Sequence, residues 1–291
     1  MTLPVILLNY NTTDDCRKCI SYLHQQTGVD LEIILVDNCS TAENRTAVEK
    51  LCETEGCTFI ANTRNAGYNA GNNVGLRYAS EKGYEFALVA NPDMEFPQRD
   101  YVARLAQLLQ NDDQLAVVAS DIITPKGIHQ NPMKPDGNWQ SSFGWLTGFF
   151  KKQPKDTYSF IDNWQENHEC KKVSGCCFLI RLSFLQKIGF FDENVFLYCE
   201  EAILSKQVEH EEMKMYYTAE AQAVHNHQAS AKGDPAARFR MWRDSRVYYI
   251  RMYSEDSWIG KLNSVLNMHV YVLVIQAGIR IKRLLLHLRD L

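Results

Sequence analysis

Polar residues at the ends of apolar runs are the first chemically useful feature of this chain. Asn9, Asp37, Asn65 and Asn91 each fall at or just after such a run. Asp37 is placed to accept a hydrogen bond from an imide N–H, as in uracil or thymine; it could equally cap a helix or close a turn. Asp93 follows Asn91-Pro92, a turn-forming pair, and a carboxylate there either closes the turn or helps hold a hard divalent cation. Glu200-Glu201, taken alone, is a charged helix face, and His225 and His227, taken alone, are a surface pair. No GxxxxGK(S/T) occurs, so the chain is not a P-loop NTPase. Gly67, Gly71 and Gly75 are spaced by four and not as GxGxxG, which disfavours a dinucleotide-binding dehydrogenase. Glycines ahead of a helix still let backbone approach a ligand, and asparagines tolerate tight turns.

The elements that must position these residues are legible from periodicity. Short apolar runs predict strands over residues 4–9, 31–37, 57–62, 85–90 and 115–120. Helices are predicted over 14–26, 40–55, 71–82 and 101–110, with Ser40 and Glu43 forming an S-x-x-E capping box. This alternation gives an α/β fold with a mostly parallel sheet covered on both faces, which binds ligands beyond the carboxyl ends of its strands. Residues 122–172 lose the period, with Pro125, Pro132, Pro135 and Pro154 among Trp, Phe and Lys; an irregular insert of this length reads as a binding segment. A strand over 176–181, a helix near 184–188, a helix over 198–209 and a strand over 213–217 follow. A helix over 235–253 carries Arg238, Arg240, Arg243, Arg246 and Arg251, of which Arg243 and Arg246 share a face; the alternative is a solvated basic face. One or two helices close the chain over 258–288.

Composition excludes other classes. The chain has 291 residues, 45% hydrophobic and 23% charged, which is ordinary globular usage and not disordered or fibrous. Nine cysteines lie between Cys16 and Cys199 with no paired CxxC zinc pattern, and no signal peptide is recognisable, so a reduced, cytoplasmic chain is expected. Residues 232–291 hold 11 basic and 5 acidic residues, against 20 and 30 in residues 1–231. The basic end implies an anionic partner, and no nucleic-acid motif accompanies it.

Six segments in order carry a resemblance: VILLNYN (5–11), LVDNCST (35–41), NAGYNAGNNVGL (65–76), VANPDMEF (89–96), residues 173–204, and VHNHQAS (224–230). Together they resemble the family 2 glycosyltransferases of GT-A fold, closest in flavour to rhamnosyltransferase-type members, over about residues 3–253. The resemblance implies a Rossmann-like sheet with C-terminal helices, and a nucleotide site that includes Asn9, Tyr10 stacked on the base, Asp37, Asn65, Gly67, Asn91, Arg243 and Arg246. It puts Asp93 at the metal-binding DxD motif, with Asn91 replacing the first acid, and makes Mg²⁺ or Mn²⁺ the cofactor. It assigns His225, or failing that His227, as a further metal ligand, His225 fitting the H-x4-S spacing to Ser230. Glu201 stands where the family has its catalytic base, an Asp, and Ile203 replaces the family's following Asp.

The reading is an inverting transferase moving a sugar from a dTDP- or UDP-sugar to a glycan acceptor, free or lipid-linked, in cell-surface polysaccharide synthesis. Residues 1–253 are expected as the catalytic domain, with a nucleotide half over 1–121 and an acceptor half over 122–253. Residues 254–291 are expected as an amphipathic helical segment, too interrupted by His269, Gln276 and charges to span a bilayer, and peripheral at the inner face of the membrane. The rivals are a non-catalytic sugar-nucleotide-binding or scaffold protein, which the Asn91 and Ile203 departures keep open, and a nucleotidyltransferase, which LLNYNTTDD disfavours by lacking a Gly- and basic-rich loop.

Overall fold

Leu-, Ile- and Val-rich runs buried on both faces set the sheet. The computed structural model describes residues 1–137, 161–227 and 235–289. Strand β1 (Thr2–Asn9), β2 (Asp30–Asp37), β3 (Thr58–Ala61) and β4 (Phe86–Ala90) alternate with helices α1 (Thr13–Leu23), α2 (Ala42–Glu55) and α3 (Tyr68–Glu81). Then come β5 (Met94–Glu95), α4 (Tyr101–Asn111), β6 (Leu115–Ile123), β7 (His168–Cys170), β8 (Cys177–Arg181), α5 (Leu182–Ile188), α6 (Glu200–His210) and β9 (Lys214–His225). Helices α7 (Pro235–Met252) and α8 (Trp258–Arg289) follow.

The sheet runs β3-β2-β1-β4-β8-β6-β9-β5, with β7 also on β9. Pairs β3–β2, β2–β1, β1–β4 and β6–β9 are parallel, while β8, β5 and β7 run against their neighbours. Because β2 and β3 lie on one side of β1 and β4 on the other, the chain reverses direction across the sheet between β1 and β4. The crevice beyond the carboxyl ends of those two strands is where such sheets take ligands. Tyr10 and Asn91 open the loops on either side of it.

Two apolar clusters cover the two faces. One joins α1, α2 and α4 to the sheet through residues such as Ile20, Leu51 and Leu105. The other joins α3, α5 and α6 through Leu76, Leu185 and Leu204. The glycines spaced by four belong to this packing: a Cβ on Gly75 would sit 2.7 Å from Ile6 Cγ2, so α3 lies close on β1.

Several expectations shift. The α2 cap is Thr41, which accepts from Asn44 N, and not Ser40; Ser40 Oγ is drawn away to accept from Asn11 N at 2.9 Å and Asn9 Nδ2 at 3.1 Å. Helix α3 begins at Tyr68, three residues earlier than expected. The strand expected over 213–217 continues through a register shift to His225. Strands β5 and β7 are too short to carry a periodicity signal.

The described residues group into two compact units. One lies within residues 1–135, 158–196 and 200–228, the other within 136–157, 197–199 and 229–291. Helix α7 thus groups with α8, where the sequence reading had joined it to the catalytic segment. In that second unit, Ser245 Oγ donates to Leu197 O at 2.7 Å, and Trp242 meets Tyr271 edge to face, tying α7 to α8.

Candidate active site

The loop after β4 turns at once. Met94 N donates to Asn91 O at 3.2 Å, and Asn91 N to Cys176 O at 2.8 Å, so the Asn-Pro pair makes a turn that presents Asp93. The two-residue strand β5 then pairs antiparallel with the end of β9, Met94 opposite His225. Asn226 N donates to Asp93 O at 2.9 Å, and Asn226 Nδ2 to Glu95 Oε1 at 2.9 Å. Lys18 Nζ reaches the same Glu95 oxygen at 2.6 Å. This pairing, invisible in the sequence, brings Asp93, His225 and His227 together.

His225 Nε2 lies 3.2 Å from Asp93 Oδ1, and His227 Nδ1 3.2 Å from Asp93 Oδ2. One ligand atom from each of the three falls within 4.8 Å of the others. Among the described residues, Asp93 Oδ1 and His225 Nε2 are buried and form no hydrogen bond, and they stand as an ion pair when His225 is protonated. Burial alone would raise the Asp93 carboxyl, but the two imidazoles outweigh it and hold it below the usual range. Burial opposes charge on His225 as well; Asp93 and then Cys176 outweigh it, and the imidazole is pushed up to about 10. A buried carboxylate oxygen and a buried imidazole nitrogen this close, with His227 beside them, fit a divalent cation. Both histidines lie against Asp93, so the geometry does not choose between them. Ser230 lies outside the described residues.

Glu201, in the first turn of α6, lines a small, partly open hollow with Tyr68, Asn69, Val173, Gly175, Phe178, Phe191, Glu200 and Leu204. Gly175 N approaches Glu201 Oε1 at 3.4 Å, and the Tyr68 hydroxyl donates to Gly175 O. Burial, reinforced by Glu200 and Glu201, raises the Tyr68 hydroxyl well above its ordinary range, so it remains a donor. Gly175 and Cys176 are consecutive, so one peptide segment meets Glu201 through Gly175 and the Asp93 turn through Cys176 O. Sequence reasoning quoted this segment without giving Tyr68 or Gly175 a role. Ile203 is buried in the core, so that position supplies no carboxylate.

The expected nucleotide contacts divide. Tyr10 is 52% exposed at the end of β1, available for stacking. Asn9 and Asp37 are both 0% exposed. Asp37 Oδ1 accepts from Asn9 Nδ2 at 2.8 Å and Oδ2 from Ser40 N at 3.1 Å. Asn9 Oδ1 accepts from Thr12 N at 3.0 Å, and its amide also donates to Ser40 Oγ and, at 3.3 Å, to Asn44 Oδ1. Asn9 and Ser40 thus hold the Asp37 carboxylate in place, and each of its oxygens keeps a lone pair for a further donor. Asn65 Oδ1 accepts from Asn38 Nδ2 and from Gly67 N, both at 3.0 Å, and so shapes the turn. Gly67 has φ +100, and a Cβ there would lie 2.7 Å from Phe196 Cα. Asn69 and Asn73 donate to Asp192 O and Phe191 O at 2.7 and 2.8 Å, anchoring the segment before α6. Arg243 and Arg246 lie in the second unit, engaged by Asp244 at 2.7 Å and Asp136 at 2.9 Å.

Comparison with known proteins agrees with this fold. A family model described as glycosyl transferase family 2 matches residues 5–189. The low-salt glycan biosynthesis hexosyltransferase Agl10 of Haloferax volcanii is 28% identical over 229 residues, covering 77% of this chain and 67% of that one. An N-acetylglucosaminyl-diphospho-decaprenol L-rhamnosyltransferase of Mycobacterium tuberculosis is 21% identical over 281 residues, covering 89% and 87%. Among solved structures, the Pyrobaculum calidifontis mannosyltransferase PcManGT, in complex with GDP-Man and Mn²⁺, superposes with a TM-score of 0.58 at 16% identity, covering 93% of this chain and 69% of that one. S. aureus TarS in complex with UDP-GlcNAc gives 0.56 at 16% identity, covering 92% and 72%.

Proposed function

The chain belongs to glycosyl transferase family 2 and is a glycosyltransferase of GT-A fold, and from that premise we propose an inverting sugar transfer from a UDP- or dTDP-sugar to a glycan acceptor in cell-surface polysaccharide synthesis. The observation that carries the reading is the cluster of Asp93, His225 and His227, with two buried ligand atoms, beside the loop that follows β4. Asp93, His225 and His227 hold Mg²⁺ or Mn²⁺. The cation, when bound, supplies positive charge to the departing diphosphate. Tyr10 offers its exposed ring to the base. Glu201 accepts the proton of the acceptor hydroxyl as that oxygen attacks the anomeric carbon. Gly175 N–H holds the Glu201 carboxylate toward the hollow, and Tyr68 fixes Gly175 from the other side. A screen of UDP- and dTDP-sugars for transfer or hydrolysis with Mn²⁺ tests this; no turnover with any donor would leave a binding protein.

A lipid-linked acceptor and a position at the cytoplasmic membrane face complete the proposal. Helix α8 exposes Ile259, Leu262, Leu266, Val270, Leu273 and Ile281, and buries Ser264, Asn267, Met268 and Val272. Over Trp258–Ile281 it is long and apolar enough to cross a membrane by length and composition, with 22% of the best window buried, although the sequence reading had judged it too interrupted. Within one helix the interruptions His269 and Gln276 fall away from the stripe's centre. The full chain should float with anionic liposomes and a chain ending at Asp256 should not. Equal behaviour of the two would reject the membrane contact.

A further inference from the structure

We propose that Gln130 is a positioning residue for the cation site, holding His225 in the tautomer that turns a bare Nε2 toward Asp93. The proposal rests on the reading of Asp93, His225 and His227 as a cation site. Gln130 Oε1 lies 2.8 Å from His225 Nδ1. An amide oxygen only accepts, so this bond places a proton on Nδ1. In the neutral ring the lone pair is then on Nε2, the buried atom without a hydrogen bond, 3.2 Å from Asp93 Oδ1. The protonated ring pairs with Asp93 across that gap, and when Nε2 gives up its proton a lone pair faces the carboxylate, which makes a pair of ligand atoms for a cation. Gln130 therefore selects the ring nitrogen that can bind metal, as outer partners of ligating histidines do.

The rest of the turn holds Gln130 in place. Gln130 N donates to Ile122 O at 2.7 Å and Thr124 N to Ile128 O at 2.9 Å, folding residues 122–130 back along the end of β6. On one side, His129 Nδ1 meets the buried Asp121 Oδ1 at 2.7 Å, and its ring stacks on Trp164 with centroids 3.6 Å apart. On the other, Asn131 is fully buried, donates to Ser120 O at 3.0 Å and accepts from Ser174 N at 2.7 Å. Both neighbours are spent on the fold, and Gln130 between them is given to His225. The start of the irregular insert, which the sequence reading placed on the acceptor side, thus serves the cation.

Titration of Mn²⁺ into the full chain at saturating UDP, with free Mn²⁺ read by electron paramagnetic resonance, tests the assignment. Gln130→Leu should weaken Mn²⁺ binding about 10–100-fold. Its affinity for UDP without metal should not change, whereas a merely structural defect would lower it. Gln130→Glu, whose carboxylate accepts the same Nδ1–H, should bind Mn²⁺ within a few-fold of the natural chain. Nitrogen-15 spectra of the natural chain with Mg²⁺ and UDP should show His225 protonated on Nδ1, which needs no folded variant. Natural affinity in Gln130→Leu, equal loss in the Leu and Glu variants, or a proton on Nε2 would each overturn the proposal. Failure of the natural chain to bind Mn²⁺ with UDP would instead overturn the cation reading beneath it.

Discussion

Two polar clusters sit at the carboxyl ends of strands in the same sheet, and they differ in how much of their bonding capacity the fold consumes. In the first, Asn9, Asp37, Ser40 and Asn44 satisfy one another across the loops after β1 and β2. In the second, Asp93 Oδ1 and His225 Nε2 are buried, form no hydrogen bond among the described residues, and stand 3.2 Å apart as an ion pair when His225 carries its proton. A contact held by charge can give up its proton to a cation, which the hydrogen-bonded first cluster does not offer. Residue type and position at a strand end do not separate the clusters; the kind of contact does.

The largest expected effect sharpens the comparison on the acceptor side. Glu201→Gln keeps the shape of the hollow and removes the base, so transfer should fall about 10²–10⁴-fold while nucleotide affinity stays. Full turnover in this variant would remove Glu201 from the chemistry.

The first cluster predicts a change in stability. Asp37→Ala strips acceptors from Asn9 Nδ2 and Ser40 N in a buried place, which should cost about 1–3 kcal/mol in chemical denaturation. Unchanged stability with lost nucleotide binding would return Asp37 to the ligand.

A smaller effect follows from protons. Without metal, His225 keeps its proton up to about pH 10, because Asp93 and Cys176 outweigh the burial that opposes it. A cation must expel that proton, so Mn²⁺ affinity should rise with pH, by up to about tenfold per unit below that value. Affinity flat between neutral pH and pH 8.5 would mean that the metal does not contact His225.

Much of this was readable beforehand because it rests on local patterns. The alternation of buried runs and helices gives the parallel half-sheet and places Asn91-Pro92-Asp93 just beyond β4. The six segments together name the family that the family model matches. What stayed hidden depends on contacts distant in sequence. Strand β5 is two residues long, too short for any period, yet its pairing with β9 joins Asp93 to both histidines. Asn69 and Asn73 sit in the Asn- and Gly-rich segment read for a ligand approach, but Asp192 O and Phe191 O, over a hundred positions away, claim them. Gln130 lies in a stretch with no period at all, and only its partner distinguishes it.

The central claim is that Asp93 and the two histidines form a cation site shared with the diphosphate. Titration calorimetry of UDP and dTDP on the full chain, with and without Mn²⁺, addresses it directly, with Asp93→Ala beside the natural chain. Carboxylate and diphosphate on one cation make the two bindings linked. The natural chain should bind at least one nucleotide more tightly when Mn²⁺ is present, and Asp93→Ala should lose that gain while keeping its metal-free affinity. Nucleotide affinity that ignores Mn²⁺ in the natural chain, or a gain that survives in Asp93→Ala, would contradict it.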